Sequence, residues 1–319
     1  MGVSGAEQLV YAIKNLSVAG VKHIARNRLN ANERLCRIDV DCSWVAYKLL
    51  GKNGNASKAG ELVAEFLILL AKAGFVPTPI CDPQNRHHSK RESTRRVAEK
   101  EKARIEAVTA RLKLTALAQK RVGLQGDESE EAEKEMSRLD SLVKKYENVN
   151  AKPSLPCSFI QDLDISLQVM DAHEENEHEC FVEKIKVASF QADSLIAKRY
   201  IDRKSHLIMS SDTDFMALIG GECVTVRGFK LSRGRGKKNK ANANIETLEV
   251  GCCSQSTFDD ILAVIPSEEK ITKREATHPL FSEKDTRLRG LIAVIIGCDV
   301  FNGGIYGVRA GTVAKKMKI

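Results

Sequence analysis

Apolar and polar positions along the chain repeat with two periods, and the places where one gives way to the other mark the elements. Residues 34–40 (Arg-Leu-Cys-Arg-Ile-Asp-Val) have strand character, with Asp39 and Asp41 two apart near the end and therefore on one face. Ser43 then opens a short helix through Trp44, Val45, Leu49 and Leu50, which Gly51 stops. Between Lys58 and Ala73, Leu62, Val63, Phe66, Leu69 and Leu70 fall at helical spacing, with Gly74 placed to end the helix. Residues 75–82 (Phe-Val-Pro-Thr-Pro-Ile-Cys-Asp) predict a strand, although Pro77 and Pro79 cannot donate to a ladder. Strand, helix, strand makes a parallel unit with Asp39 and Asp82 at carboxyl ends.

The pattern then changes. Residues 85–121 hold Arg, Lys, Glu and Ala without Gly or Pro, which predicts one long polar helix, and residues 128–147 predict a second. Two charged helices back to back have little apolar surface to bury, so they predict a protruding hairpin or cap. Arg91/Arg95 and Arg96/Lys100/Arg104/Arg111 fall in near-helical stripes; a solvated face laced by Glu–Lys pairs accounts for them as well as an anion-binding face does. Residues 148–158 predict a linker, and the acidic segment 162–183, with His173 and His178, a solvated surface.

Further on, Ala192, Leu195, Ile196, Arg199 and Tyr200 form an apolar helical pattern, followed by a strand at 206–209 and another at 223–229. Residues 230–240 predict a basic loop able to touch phosphates or serve as a nuclear import signal. Helices follow at 291–296 and 310–318, separated by a glycine turn at 303–308, and the chain is expected to end inside the last of them. Backbone N–H groups in such a turn can face a phosphate.

Composition narrows the partners. Fifty Lys and Arg against 42 Asp and Glu give a net charge of +8, which favours an anionic partner. Aromatic residues are only 5%, so phosphate contact is favoured over base stacking. Nine cysteines without a Cys-x-x-Cys pair predict reduced, buried thiols in an intracellular protein. No apolar run is long enough for a membrane helix, and a soluble, nuclear protein is expected.

The acids carry the chemistry. Gln191-Ala192-Asp193 stands where a helix begins, and Ser210-Ser211-Asp212-Thr213-Asp214 where a strand ends. Asp212 and Asp214 can cap the next helix, or they can join a metal site, since crowded carboxylates call for a divalent cation. With Asp39, Asp82, Asp193 and Asp299 they make six acids at element ends, which one sheet edge could collect.

These residues resemble the flap endonuclease family, the XPG-type structure-specific 5′ nucleases. Met1-Gly2-Val3 is similar to the family's Met-Gly-Ile or Met-Gly-Val start, and Ile38-Asp39 resembles its first metal-binding Asp. Residues 74–82 are similar to Gly-x-x-Pro-x-x-x-Phe-Asp-Gly, with Pro83 in place of the last glycine. Ser211-Asp212-Thr213-Asp214 resembles Glu-Asp-x-Asp, Ile296-Gly297-Cys298-Asp299 is close to Leu-Gly-Cys-Asp, and Gly303 to Met317 lines up with the helix-two-turn-helix.

The resemblance implies an α/β fold: a PIN-like parallel sheet flanked by helices, a charged helical arch insertion, and a C-terminal helix-two-turn-helix. The regions implied are 1–84 and 159–300 for the nuclease, 85–158 for the arch and linker, and 301–319 for the start of the DNA-gripping motif. It implies hydrolysis of flapped or branched DNA by two Mg2+ ions, with Mn2+ as substitute. Asp39, Asp82, Gln191, Asp193, Asp212, Asp214 and Asp299 stand at the metal positions. Arg96 and Lys90 stand against the scissile phosphate, and Gly2, Arg91, Arg95, Lys100, Gly307 and Arg309 at DNA, with K+ at the terminal turn. No sliding-clamp motif is visible.

The departures matter too. The family's Glu-Ala-Glu is Gln191-Ala192-Asp193 here, one carboxylate becoming a neutral amide and the other losing a methylene. Fewer anionic ligands weaken metal affinity. The family's Gly-Ile-Gly is Gly307-Val308-Arg309, where the Arg309 side chain can replace a backbone contact to phosphate. A nucleic-acid-binding relative with little or no catalysis is therefore the second reading.

Overall fold

A computed structural model describes residues 10–27, 35–51, 54–83, 90–121, 127–150, 155–173, 181–189, 191–220, 222–232 and 243–275. The chain divides into two units, one of residues 1–45, 60–83 and 160–319, the other of 46–59 and 84–159.

The first unit is built on one eight-stranded sheet. In chain order its strands are β1 (Tyr11–Leu16), β2 (Cys36–Asp41), β3 (Phe75–Cys81), β4 (Lys186–Val187), β5 (Leu207–Met209), β6 (Val224–Ser232), β7 (Asn244–Cys252) and β8 (Thr272–Arg274). They lie in the order β4-β3-β2-β5-β6-β7-β1-β8. From β4 to β6 every pairing is parallel, and from β6 to β8 every pairing is antiparallel. Helices α1 (Val18–Arg26), α2 (Cys42–Leu50), α3 (Ala59–Lys72), α6 (Phe159–His173), α7 (Ala192–Ile201), α8 (Asp214–Ile219) and α9 (Gln255–Val264) accompany the strands. A mostly parallel sheet flanked by helices is the α/β class that the sequence predicts, and the antiparallel strands at one side are an addition to it.

Counted along the chain from β2, the parallel strands run 3-2-1-4-5. In a sheet so wound, the connections leave β2 and β5 in opposite directions, opening a crevice outside their carboxyl ends. Asp41 ends β2, and Ser210 follows the last residue of β5.

Local chemistry explains how the strands tolerate their sequences. Every residue of β3 is buried, prolines included. The Pro77 carbonyl accepts from the Glu183 N–H at 3.0 Å on the side away from β2. Residues 77 and 79 present their backbone polar groups to that same side, where β4 pairs only with Ile80 and Cys81. The donors that proline lacks are thus on an open edge. Phe66 of α3 packs on Phe229 of β6 with ring centroids 4.3 Å apart, and Trp44 of α2 meets the same ring edge-on at 6.0 Å. Ile196 and Tyr200 of α7 pack with Ile80, Ile208, Phe215 and Cys223. The Tyr200 hydroxyl donates to the Glu222 carbonyl at 3.0 Å and accepts from the Val224 N–H at 3.1 Å.

The second unit contains α4 (Lys90–Arg121) and α5 (Asp127–Asn150), the charged pair that the composition predicts. Ala103, Ala107 and Ala110 on α4 are buried, as are Ala132, Leu139 and Val143 on α5, so a thin seam of small and branched side chains joins the helices. Outside it, Arg104 pairs with Glu101 and Arg138 with Glu135, each at 3.0 Å, the laced face expected of a charge run.

Several expectations need correction. The segment from 162 begins as helix: α6 runs to His173, and Gly60 of α3 lets it approach, since a Cβ there would lie 2.7 Å from the Leu163 nitrogen. The linker expected from 148 starts later, because α5 continues to Asn150. The basic loop expected from 230 begins as strand, with β6 running to Ser232. The elements β1, α1, β4, β7, α9 and β8 were not foreseen. The helices at 291–296 and 310–318, the turn at 303–308, and Gly2, Asp299, Gly307 and Arg309 lie outside the described residues. Lys90, Arg91, Arg95, Arg96 and Lys100 belong to α4, and their side chains are likewise outside the description.

Candidate metal centre at the carboxyl edge

Asp41 is the last residue of β2, and its carboxylate receives two elements. Oδ1 accepts from the Trp44 N–H at 3.0 Å, capping α2, and Oδ2 accepts from the Ser210 hydroxyl at 3.1 Å. The Asp212 N–H donates to the Ser210 oxygen at 3.2 Å, and the Asp214 N–H donates to Asp212 Oδ1 at 3.0 Å. A continuous set of hydrogen bonds therefore crosses the crevice from β2 to the start of α8. Asp212 does cap α8, as one reading of the sequence has it, and it belongs to the acid group as well.

The other wall comes from β3 and α7. Asp82 directly follows β3, and its Oδ1 accepts from the Ala192 N–H at 2.9 Å, tying the start of α7 to the strand end. Asp193, in the first turn of α7, feels the whole group: its carboxyl is pushed up to about 8, by burial first and then by Asp41, Asp212, Asp82 and Asp214. Asp41 is raised to about 6, chiefly by burial, with Asp82 and Asp212 adding to it and the Trp44 and Ser210 hydrogen bonds opposing. Gln191 is the N-cap of α7 but makes no capping hydrogen bond with its side chain. Of the expected metal positions, the structure thus gathers Asp82, Asp193, Asp212 and Asp214, with Gln191 at the head of the same helix.

Asp39 is not among them, and Asp41 takes its place. Asp39 is fully buried two residues further back on the same strand face, where Arg199 Nε donates to both of its oxygens at 3.1 and 3.0 Å. Positions 39 and 41 share a face of β2, and the sequence alone does not say which rung is the edge. The available signal is that Asp41 immediately precedes a helix.

A donor set of carboxylates with one amide suits a hard divalent cation, so in chemical type the residues fit Mg2+. Asp41, Asp82 and Asp212 each turn one oxygen toward a backbone N–H group, however, and among the described residues no three His, Cys, Asp or Glu side chains already converge on a metal position. Likewise among the described residues, no helix is long and apolar enough to cross a membrane.

No family model matches the chain, and no curated protein matches it. Solved structures similar to it include human GEN1 in complex with Holliday junction DNA, at 10% identity and a TM-score of 0.38, covering 89% of this chain and 49% of that one. The catalytic core of Rad2 in complex with DNA substrate is similar in two further structures. One is 12% identical with a TM-score of 0.42, covering 98% of this chain and 66% of that one. The other is 11% identical with a TM-score of 0.36, covering 89% and 60%. The chain spans about half to two thirds of the length of the chains it matches.

Proposed function

We propose that the chain is a divalent-metal-dependent nuclease acting on flapped or branched DNA from the 5′ side. The observation that carries this reading is the gathering of Asp41, Asp82, Asp193, Asp212 and Asp214 around the crevice between β2 and β5. Burial first, and then the neighbouring carboxylates, raise the Asp193 carboxyl to about 8, and cations relieve such an excess of charge. Mg2+ held there would lower the pKa of an attacking water and stabilise the leaving oxygen. The protein's own part is to present oxygen donors from four elements, with Asp299 a candidate further ligand. Arg96 and Lys90 of the charged helix are proposed to offset charge on the scissile phosphate. K+ at Gly307 to Arg309 and a nuclear location belong to the same proposal.

The second reading, a DNA-binding relative with weak or no catalysis, is favoured by one feature. Gln191 puts a neutral amide at the head of α7, where a carboxylate would bind a cation more strongly. A labelled 5′-flap duplex with Mg2+ separates the two. Cleavage by the wild type and its loss by at least about 100-fold in Asp212→Asn/Asp214→Asn supports the nuclease. Binding without cleavage by either protein supports the alternative, and Gln191→Glu should then tighten Mg2+ binding and restore some cutting.

A further inference from the structure

Arg199 is buried, 9% exposed, and the chemistry proposed above gives it no part. Its guanidinium nevertheless reaches three segments of the sheet. Nε donates to Asp39 of β2, and Nη2 donates to the Thr78 hydroxyl of β3 at 3.1 Å and lies 3.6 Å from Glu183 Oε2, just before β4. Thr78 in turn donates to Glu183 at 3.0 Å. Asp39 and Thr78 are partners in the β2–β3 register, two rungs behind the pair formed by Asp41 and Ile80. The fork of Arg199 thus grips the sheet directly behind the acids.

The geometry of α7 shows what this grip controls. Residues seven apart on a helix fall about 20° from one another, so Arg199 and Ala192 lie on the same face roughly two turns apart. Ala192 is held at the front by Asp82 and Arg199 at the back by Asp39, so α7 is pinned to the sheet at two points along one line. Asp193 is rotated about 100° from that line. Whether its carboxylate meets Asp41 and Asp212 therefore depends on the rotation of α7 about its axis, which Arg199 fixes on this side together with the packing of Ile196 and Tyr200 on the other.

Burying an ion pair rarely stabilises a fold more than apolar packing of the same volume would. Two N–H groups of one rigid guanidinium plane, Nε on Asp39 and Nη2 on Thr78, do fix orientation. We propose that Arg199, Asp39, Thr78 and Glu183 form a positioning network that sets the rotation of α7 and thereby holds Asp193 in the carboxylate group. This rests on the metal reading above and assigns Asp39 a structural part in it in place of a ligand's.

The test is Mg2+ binding by calorimetry, with thermal unfolding alongside, on the wild type, Arg199→Met/Asp39→Leu, Arg199→Lys and Thr78→Val. The double variant removes charge and partner together and should unfold within a few degrees of the wild type, while its Mg2+ affinity falls at least tenfold. Arg199→Lys, which keeps the charge but not the fork, should be weakened by a smaller factor. Thr78→Val, the mildest change, guards against misfolding of the double variant and should weaken binding about threefold. A well-folded double variant, or Thr78→Val, that binds Mg2+ as the wild type does overturns the network. A wild type that binds no Mg2+ overturns the metal reading itself, and this inference with it.

Discussion

Asp39 and Asp41 are two residues apart on one strand face, yet they face opposite demands. Asp39 neutralises a buried guanidinium; Asp41 stands among other acids. Asp39→Asn leaves the buried Arg199 with only the more distant Glu183 as counter-charge and should cost about 3 kcal/mol in urea unfolding. Asp41→Asn removes repulsion, so the metal-free protein should be no less stable while DNA cleavage falls at least about 100-fold. Comparable destabilisation by the two would contradict the assignment. The raised carboxyls give a pH dependence of definite sign. Asp41 and Asp193 hold protons more tightly folded than unfolded, so their contribution is complete below the usual carboxylate value of 3.8. It is lost as pH rises through about 6 and about 8 respectively. Without metal, the melting temperature should fall between pH 5 and 8.5, by up to about 1.4 kcal/mol of stability per unit for each titrating group. Asp193→Asn should flatten the fall, and a melting temperature that rises over this range would contradict it.

Elements whose chemistry is local were legible in the sequence. The periodicity of α3 ends at Gly74, which has a φ of 83°, and the charged pair α4 and α5 declared itself by composition. Elements that depend on distant partners were not. The strand β7 is defined by β6 on one side and β1 on the other, and β8, among the described residues, by β1 alone. For α6 the acidic residues 162 and 164 and the two histidines suggested solvent, whereas Leu163 is fully buried. The approach of α6 to α3 predicts that Gly60→Ala, with its Cβ 2.7 to 2.8 Å from the backbone and side chain of Asp162 and Leu163, should cost about 1–3 kcal/mol. Thermal unfolding checks this, and an unchanged melting temperature would mean that the two helices yield freely.

On the scale of the molecule, the sequence predicted a parallel sheet with acids at one edge; the first unit contains it as the β4-to-β6 part of a mixed sheet whose other strands are antiparallel. The position along that edge came from topology. The 3-2-1-4-5 order puts β2 beside β5, and so brings Asp41 to Ser210 across 169 residues of chain. No local pattern encodes such a neighbour, just as none paired Asp39 with Arg199 across 160 residues. The central claim is that this crevice is a cation site. Crystals of the full chain soaked in Mn2+ and measured at the manganese absorption edge test it most directly. The account predicts two anomalous peaks about 3.5–4 Å apart among Asp41, Asp82, Asp193, Asp212 and Asp214, with Asp39 still on Arg199. An empty crevice, or manganese bound at Asp39, would contradict it.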